Sequence, residues 1–168
     1  EIKAYVTAGK PVVGIRTASH AFALRKKVPS GGFEWTQFDN DVLGGNYHDH
    51  YNNKGPDSPR TYIWWTAEDA KHPIMNGVSV EKRVSTSWLY KVTPLAESAT
   101  QIMWGQFEEN TPEPVAWTNT NKFGGRVFYT SLGHPDDFES ADFRRLLSNG
   151  IRWAVNDLAA TQQLESSN

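Results

Sequence analysis

Apolar positions along the chain follow two different periods. Near the N-terminus Ile2, Tyr5 and Val6 share one helical face, and Gly9 stands where a glycine stop ends a helix. The run Pro11 to Ile15 is apolar without alternation, which predicts a parallel strand covered on both faces. A helix is expected to begin within His20 to Lys27 and to stop at Pro29-Ser30-Gly31-Gly32. Trp35, Phe38, Val42 and Leu43 return at helical spacing and are closed by Gly44-Gly45. Residues 46–60 are polar and rich in turn formers, the composition of a long surface loop. Thr61 to Thr66 reads as a strand, and the stretch from Ala67 to Val78 as a short helical turn interrupted by Pro73. Trp88 to Val92, Gln101 to Trp104, Val115 to Trp117 and Arg126 to Ser131 then predict a β-rich series between Gly, Pro and Asn breakers. The clearest helix comes last: Phe143, Leu146, Leu147, Ile151 and Ala154 form one stripe. Ser140 is positioned to cap it, and Glu139 and Asp142 suit its positive end. Residues 1–158 read as one domain, and residues 159–168 as a polar tail without an apolar face.

Composition narrows the function classes. The chain has 168 residues with 17 Lys plus Arg against 19 Asp plus Glu, a net charge of −2, which argues against a nucleic-acid binder. Absence of cysteine excludes disulfides, thiolate metal sites and a cysteine nucleophile. No apolar run approaches the roughly 20 residues of a membrane span. No signal peptide is visible, and cytoplasmic, periplasmic and secreted locations all stay open. A parallel strand at Pro11 to Ile15 needs neighbours, so further strands of the sheet are expected upstream of Glu1, in a missing N-terminal segment or another fragment. A homo-oligomer, or association with that N-terminal segment, is the partner expectation. Seven Trp and six Tyr serve either core packing or sugar-stacking surfaces.

The candidate chemistry sits where strands end. In "PVVGIRTASHAF" the apolar run leads into a tight turn of small residues, the elbow at which many α/β enzymes display a Ser or Cys nucleophile. Arg16 takes that place. A guanidinium stays protonated and cannot attack, but it can fix a carboxylate or polarise a carbonyl or sugar oxygen. Ser19 and His20 follow within the same turn. In "FYTSLGHPDDFE", His134 follows a strand directly and has Asp136 beside it, a pairing suited to general acid–base work or simply to ordering the turn. "NYHDHY" offers His48 and His50 around Asp49, which reads as a solvated loop, as hydrogen-bonding partners for a sugar, or as part of a divalent-metal site completed by His20 or His134. His72, before Pro73, reads as structural.

Taken together, "GKPVVGIRTASHAF", "VLGGNYHDHY", "HPIMNG", "LYKVTPL", "EPVAWT" and "GGRVFYTSLGHPDDFESADFRRLLSNGIRWAV" resemble the ThuA-like (trehalose-utilisation) family, a branch of the class I glutamine amidotransferase-like fold. The resemblance implies a flavodoxin-like three-layer α/β/α sandwich with a mostly parallel sheet, its first strands lying upstream of Glu1. It places His134 in the position of the amidotransferase histidine and Arg16 in that of the cysteine, which rules out glutaminase chemistry. Many family members carry His at the Arg16 position, Asp at the His20 position and an acidic residue near Trp88; this chain departs at all three. Tyr47 and His50 match the family's glycine-glycine-aromatic-histidine motif. The implied function is a carbohydrate-active enzyme, a glycoside or keto-sugar hydrolase or lyase. His134 and Arg16 would carry its acid–base chemistry, and Ser19, His20, Tyr47, His50 and Asp136 would hold a small carbohydrate. The alternative is a non-catalytic carbohydrate-binding or scaffolding domain with a degenerate pocket.

Overall fold

The computed structural model describes residues 1–23, 32–53, 60–79 and 83–156. Helix α1 (Ile2–Thr7) ends before Gly9, whose φ of +70° suits the predicted glycine stop. Strand β1 (Val12–Ile15) follows, and a 3₁₀ turn, Arg16–His20, opens directly from it. Of the helix expected from His20 to Lys27, His20 ends the 3₁₀ turn, residues 21–23 form no α-helix, and residues 24–27 lie outside the described residues. The apolar residues after Trp35 form one π-helical turn, Asp39–Leu43, closed by left-handed Gly44. Strand β2 (Asp49–His50) interrupts the expected loop, of which residues 54–59 are outside the described part.

Strands β3 (Thr61–Trp64), β6 (Thr100–Gln106), β7 (Glu113–Thr120) and β8 (Arg126–Thr130) sit where the β-branched and aromatic runs predicted them. Of the run Trp88 to Val92, only β5 (Tyr90–Lys91) is a strand, and β4 (Arg83–Ser85) was not foreseen. Helix α2 (Ala141–Ala154) forms as predicted, and the Ser140 side chain accepts a hydrogen bond from the Phe143 N–H. The predicted polar tail lies beyond the described residues.

The six-stranded sheet has the order β1-β8-β7-β6-β3-β4, and β2 pairs separately with β5. Here the expectation of a mostly parallel sheet is corrected. Only β1 and β8 run parallel; β8–β7, β7–β6, β6–β3 and β3–β4 are all antiparallel. For β6–β7 and β7–β8 the physical reason is the shortness of the connections. A parallel neighbour needs a crossover of a dozen residues or more, whereas β7 reaches β8 through the tight Asn121–Gly125 turn. The molecule is thus an α/β chain built on a mixed, mainly antiparallel sheet.

Each face of this sheet carries a core. On one side Phe128, Ile102, Val115 and Met103 pack with Phe143 and Leu146 of α2. On the other, Trp117, Tyr129 and Val127 pack with Val42, Leu43 and Val6. Trp117 is fully buried, and its indole N–H donates to the Leu43 carbonyl at 2.8 Å, so its one polar atom is satisfied. The parallel pair β1–β8 therefore lies between two packed layers, and the chain leaves both strands at the same end.

Candidate functional site

The site begins with backbone strain. Arg16, the first residue after β1, has φ +48°, a left-handed conformation that costs a non-glycine residue about 1 kcal/mol. Two hydrogen bonds hold it there: the Arg16 carbonyl accepts from the Tyr129 hydroxyl at 2.6 Å and from Ser19 Oγ at 3.3 Å. Burial pushes the Tyr129 phenol well above its ordinary pKa, so it remains a donor. Beside it, Gly133 (φ +116°) lets the turn after β8 press against β1, since a Cβ there would meet the Ile15 side chain at 2.6 Å. The elbow predicted from sequence is present, and its strained residue is the arginine.

From Arg16 a buried polar network crosses to the β8 turn. Nη1 donates to Ser87 Oγ at 2.9 Å, and Ser87 Oγ donates in turn to Asp137 Oδ2 at 2.7 Å. The His134 N–H shares the same pair, donating to Ser87 Oγ at 3.0 Å and to Asp137 Oδ2 at 2.9 Å. Asp137 also accepts from the Gly133 N–H at 2.8 Å and from Ser85 Oγ at 2.6 Å. One serine oxygen therefore lies in contact with both Arg16 and the backbone of His134, which brings the two strand ends together.

The His134 ring caps the 3₁₀ turn Pro135–Glu139. Its Nδ1 accepts from the Asp136 N–H at 3.3 Å and lies 3.4 Å from the Asp136 carboxylate. These two contacts compete for one atom. A neutral ring protonated at Nε2 keeps the cap and presents a donor. A ring protonated at Nδ1 turns that hydrogen toward Asp136 and frees Nε2 as an acceptor.

The second half of the site is aromatic. The His20 ring stacks on Tyr47 with centroids 4.6 Å apart and planes 22° from parallel, while its Nδ1 lies 3.1 Å from Ser19 Oγ. Tyr47 leans on Tyr90 at 4.8 Å, and His50 lies 6.3 Å from Tyr90 and 4.9 Å from Trp88. The β2–β5 ladder explains this row, because it sets His50 directly opposite Tyr90. His50 Nδ1 is buried without a hydrogen-bond partner. Beneath Tyr47 lies Asp39, only 5% exposed, whose Oδ2 accepts the Tyr47 N–H at 2.6 Å and whose Oδ1 has no partner. Burial raises its pKa from 3.8 to about 6, against the opposing effect of the Tyr47 hydrogen bond. Gly45 is required above it, since a Cβ would come within 3.0 Å of both carboxylate oxygens.

Ser19, His20, Tyr47 and His50 are thus linked through one row of rings, and Arg16 and His134 through Ser87. Asp136 stands apart: its side chain is 65% exposed and its carboxylate lies beside the neighbouring His134 ring. Its neighbour Asp137 turns inward instead. His48 bonds the Asn46 carbonyl at the surface, and Asp49 pairs with Lys91, so neither joins the rings. His72 caps its turn through the Ile74 N–H, the structural role expected of it, and burial lowers its pKa. No group of three or more His, Cys, Asp or Glu side chains among the described residues lies close enough to hold a metal ion. Sequence reasoning missed Asp39, Ser85, Ser87, Tyr90 and Asp137. Only Asp137 had a local signal, as the third residue of a turn capped by His134.

An α/β domain with an arginine-bearing elbow, a histidine after the adjacent parallel strand and a row of rings beside them has the makings of a small-ligand site at one sheet end. The family model ThuA, described as trehalose utilisation, matches residues 1–154, and the chain belongs to that family. Membership implies a role in carbohydrate utilisation. No curated protein matches the chain. No helix among the described residues is long and apolar enough to cross a membrane.

Proposed function

We propose that the chain is a carbohydrate-active enzyme that binds a sugar or keto-glycoside at the shared end of β1 and β8 and transforms it by acid–base chemistry, without glutaminase activity. The observation that carries this reading is the shared Ser87 oxygen, which ties the Arg16 guanidinium to the backbone of His134. In this arrangement Arg16 polarises a carbonyl or hydroxyl oxygen of the sugar, and the His134 ring, with Asp136 on Nδ1, exchanges a proton through Nε2. Ser19, His20, Tyr47 and His50 form the wall against which the sugar rests, since rings favour the C–H face of a pyranose. On this reading the elbow is that of an amidotransferase-like scaffold whose nucleophile has been exchanged for a fixed cation.

The experiment is a turnover screen on glycosides and 3-keto-glycosides with the wild type and His134→Ala. Product formation by the wild type and a loss of at least 100-fold in the variant are expected, the scale of one acid–base group. Absence of turnover on both panels would count against catalysis. The second reading, a non-catalytic carbohydrate-binding domain, is favoured by one contact: His134 Nδ1 caps its own turn. Sugar binding without product, unchanged in His134→Ala, would select it.

A further inference from the structure

Arg16 is half-buried and permanently charged, yet its guanidinium donates to a neutral hydroxyl, Ser87 Oγ. None of the carboxylates among the described residues forms an ion pair with it. The carboxylate at the far side of Ser87 is Asp137, and its charge is already shared among Ser85 Oγ, Ser87 Oγ and the N–H groups of Gly133 and His134. Asp39 is held under Gly45 by the Tyr47 N–H, and Asp136 points to solvent beside His134. A partly desolvated cation without a direct counter-charge is an unfavourable arrangement for the empty protein. It becomes favourable when a ligand brings the anion, and a planar guanidinium is matched by the two oxygens of a carboxylate.

We propose that the sugar bound at this site is an acid sugar, a uronate or aldonate, whose carboxylate is held by Arg16. The inference rests on the carbohydrate reading above and adds the charge of the substrate. The strained elbow gives the arrangement its direction, because φ +48° fixes where the Arg16 side chain leaves β1. The carboxylate then meets the free edge of the guanidinium, and the pyranose ring lies toward His20 and Tyr47, whose stacked rings present an apolar surface.

Calorimetric titration of the whole chain with glucuronate, glucose and acetate, at low and high salt, tests the assignment. Glucuronate should bind at least about tenfold more tightly than glucose at low salt, the effect of one charge-assisted hydrogen-bonded pair. That advantage should shrink at high salt and vanish in Arg16→Gln. Equal affinity for glucose and glucuronate, or an advantage that Arg16→Gln retains, overturns the proposal while leaving the carbohydrate reading in place. Acetate binding as tightly as glucuronate, with glucose inert, overturns the acid-sugar assignment and the carbohydrate reading together, leaving an anion site. Binding of none of the three overturns both as well. Should Arg16→Gln fail to fold, the wild-type salt series decides: a glucuronate advantage unchanged between about 20 and 500 mM salt contradicts a charged contact.

Discussion

Asp39 and Asp137 are hidden to nearly the same degree, 5% and 8% exposed, and both stand within the site. Asp137 receives hydrogen bonds from two serine hydroxyls and two backbone N–H groups. Asp39 receives one, from the Tyr47 N–H, and keeps an oxygen without a partner. The difference teaches that burial alone does not assign a role to a carboxylate; the number of donors aimed at it does. Asp137 organises the meeting of β1, the Ser85–Ser87 segment and the β8 turn. Asp39 supports Tyr47 but is driven toward neutrality, with a pKa of about 6.

The largest effect is expected from Asp137→Ala, which leaves several buried donors without an acceptor. A loss of about 4 kcal/mol in folding stability should appear as a fall in the urea midpoint, given penalties of about 1–3 kcal/mol per unsatisfied group. A loss below about 1 kcal/mol would break the comparison, because it would mean that the four donors find water as easily as they find Asp137.

Asp39→Asn sharpens the contrast through its pH dependence. The folded pKa of Asp39 is raised above its unfolded value of 3.8, so its contribution to stability is fully present below pH 3.8 and is lost as pH rises through about 6. The variant, which does not titrate, should therefore gain on the wild type by about 3 kcal/mol between the two ends of that window, a shift of about two pKa units. Parallel stability curves for variant and wild type would show that Asp39 titrates normally.

Smaller effects follow around the shared oxygen. Ser87→Ala removes the atom between Arg16, His134 and Asp137, and a loss of about 2 kcal/mol is expected in denaturant melts. Arg16→Gly relieves the left-handed strain while freeing the unfolded chain, so stability should move by no more than about 1 kcal/mol in either direction. Its ligand affinity should nonetheless collapse. A variant as stable as the wild type but unable to bind would separate the role of Arg16 from that of Asp137.

Much of this architecture was legible in the sequence. Strands β3, β6, β7 and β8 lie on the β-branched and aromatic runs, and α2 begins at the serine that its apolar stripe predicted. Strand direction was read wrongly. The apolar run at Pro11 to Ile15 fits its parallel pairing with β8, but the resemblance extended that pattern to the other strands. The Asn121–Gly125 turn, too short for a crossover, already contained the correction. Among site residues, Ser19, His20, Tyr47 and His50 could be selected because they follow strand ends or match a motif. Ser85 and Ser87 could not, since short hydroxyl residues beside an unremarkable polar strand carry no periodic signal. Asp136 and Asp137 are neighbours in sequence, and only the turn of the chain decides which faces inward.

The central claim, a sugar resting on the row of rings beside Arg16, is tested most directly at Trp88. Its indole lies 4.9 Å from the His50 ring, so its fluorescence should respond when a ligand fills the adjacent site. Titration with a keto-glycoside is expected to give a saturable change that is absent in Trp88→Phe and shifted to at least about tenfold higher concentration in His50→Ala, a loss of about 1.4 kcal/mol. A signal that never saturates, or one that survives both substitutions unchanged, would contradict the account.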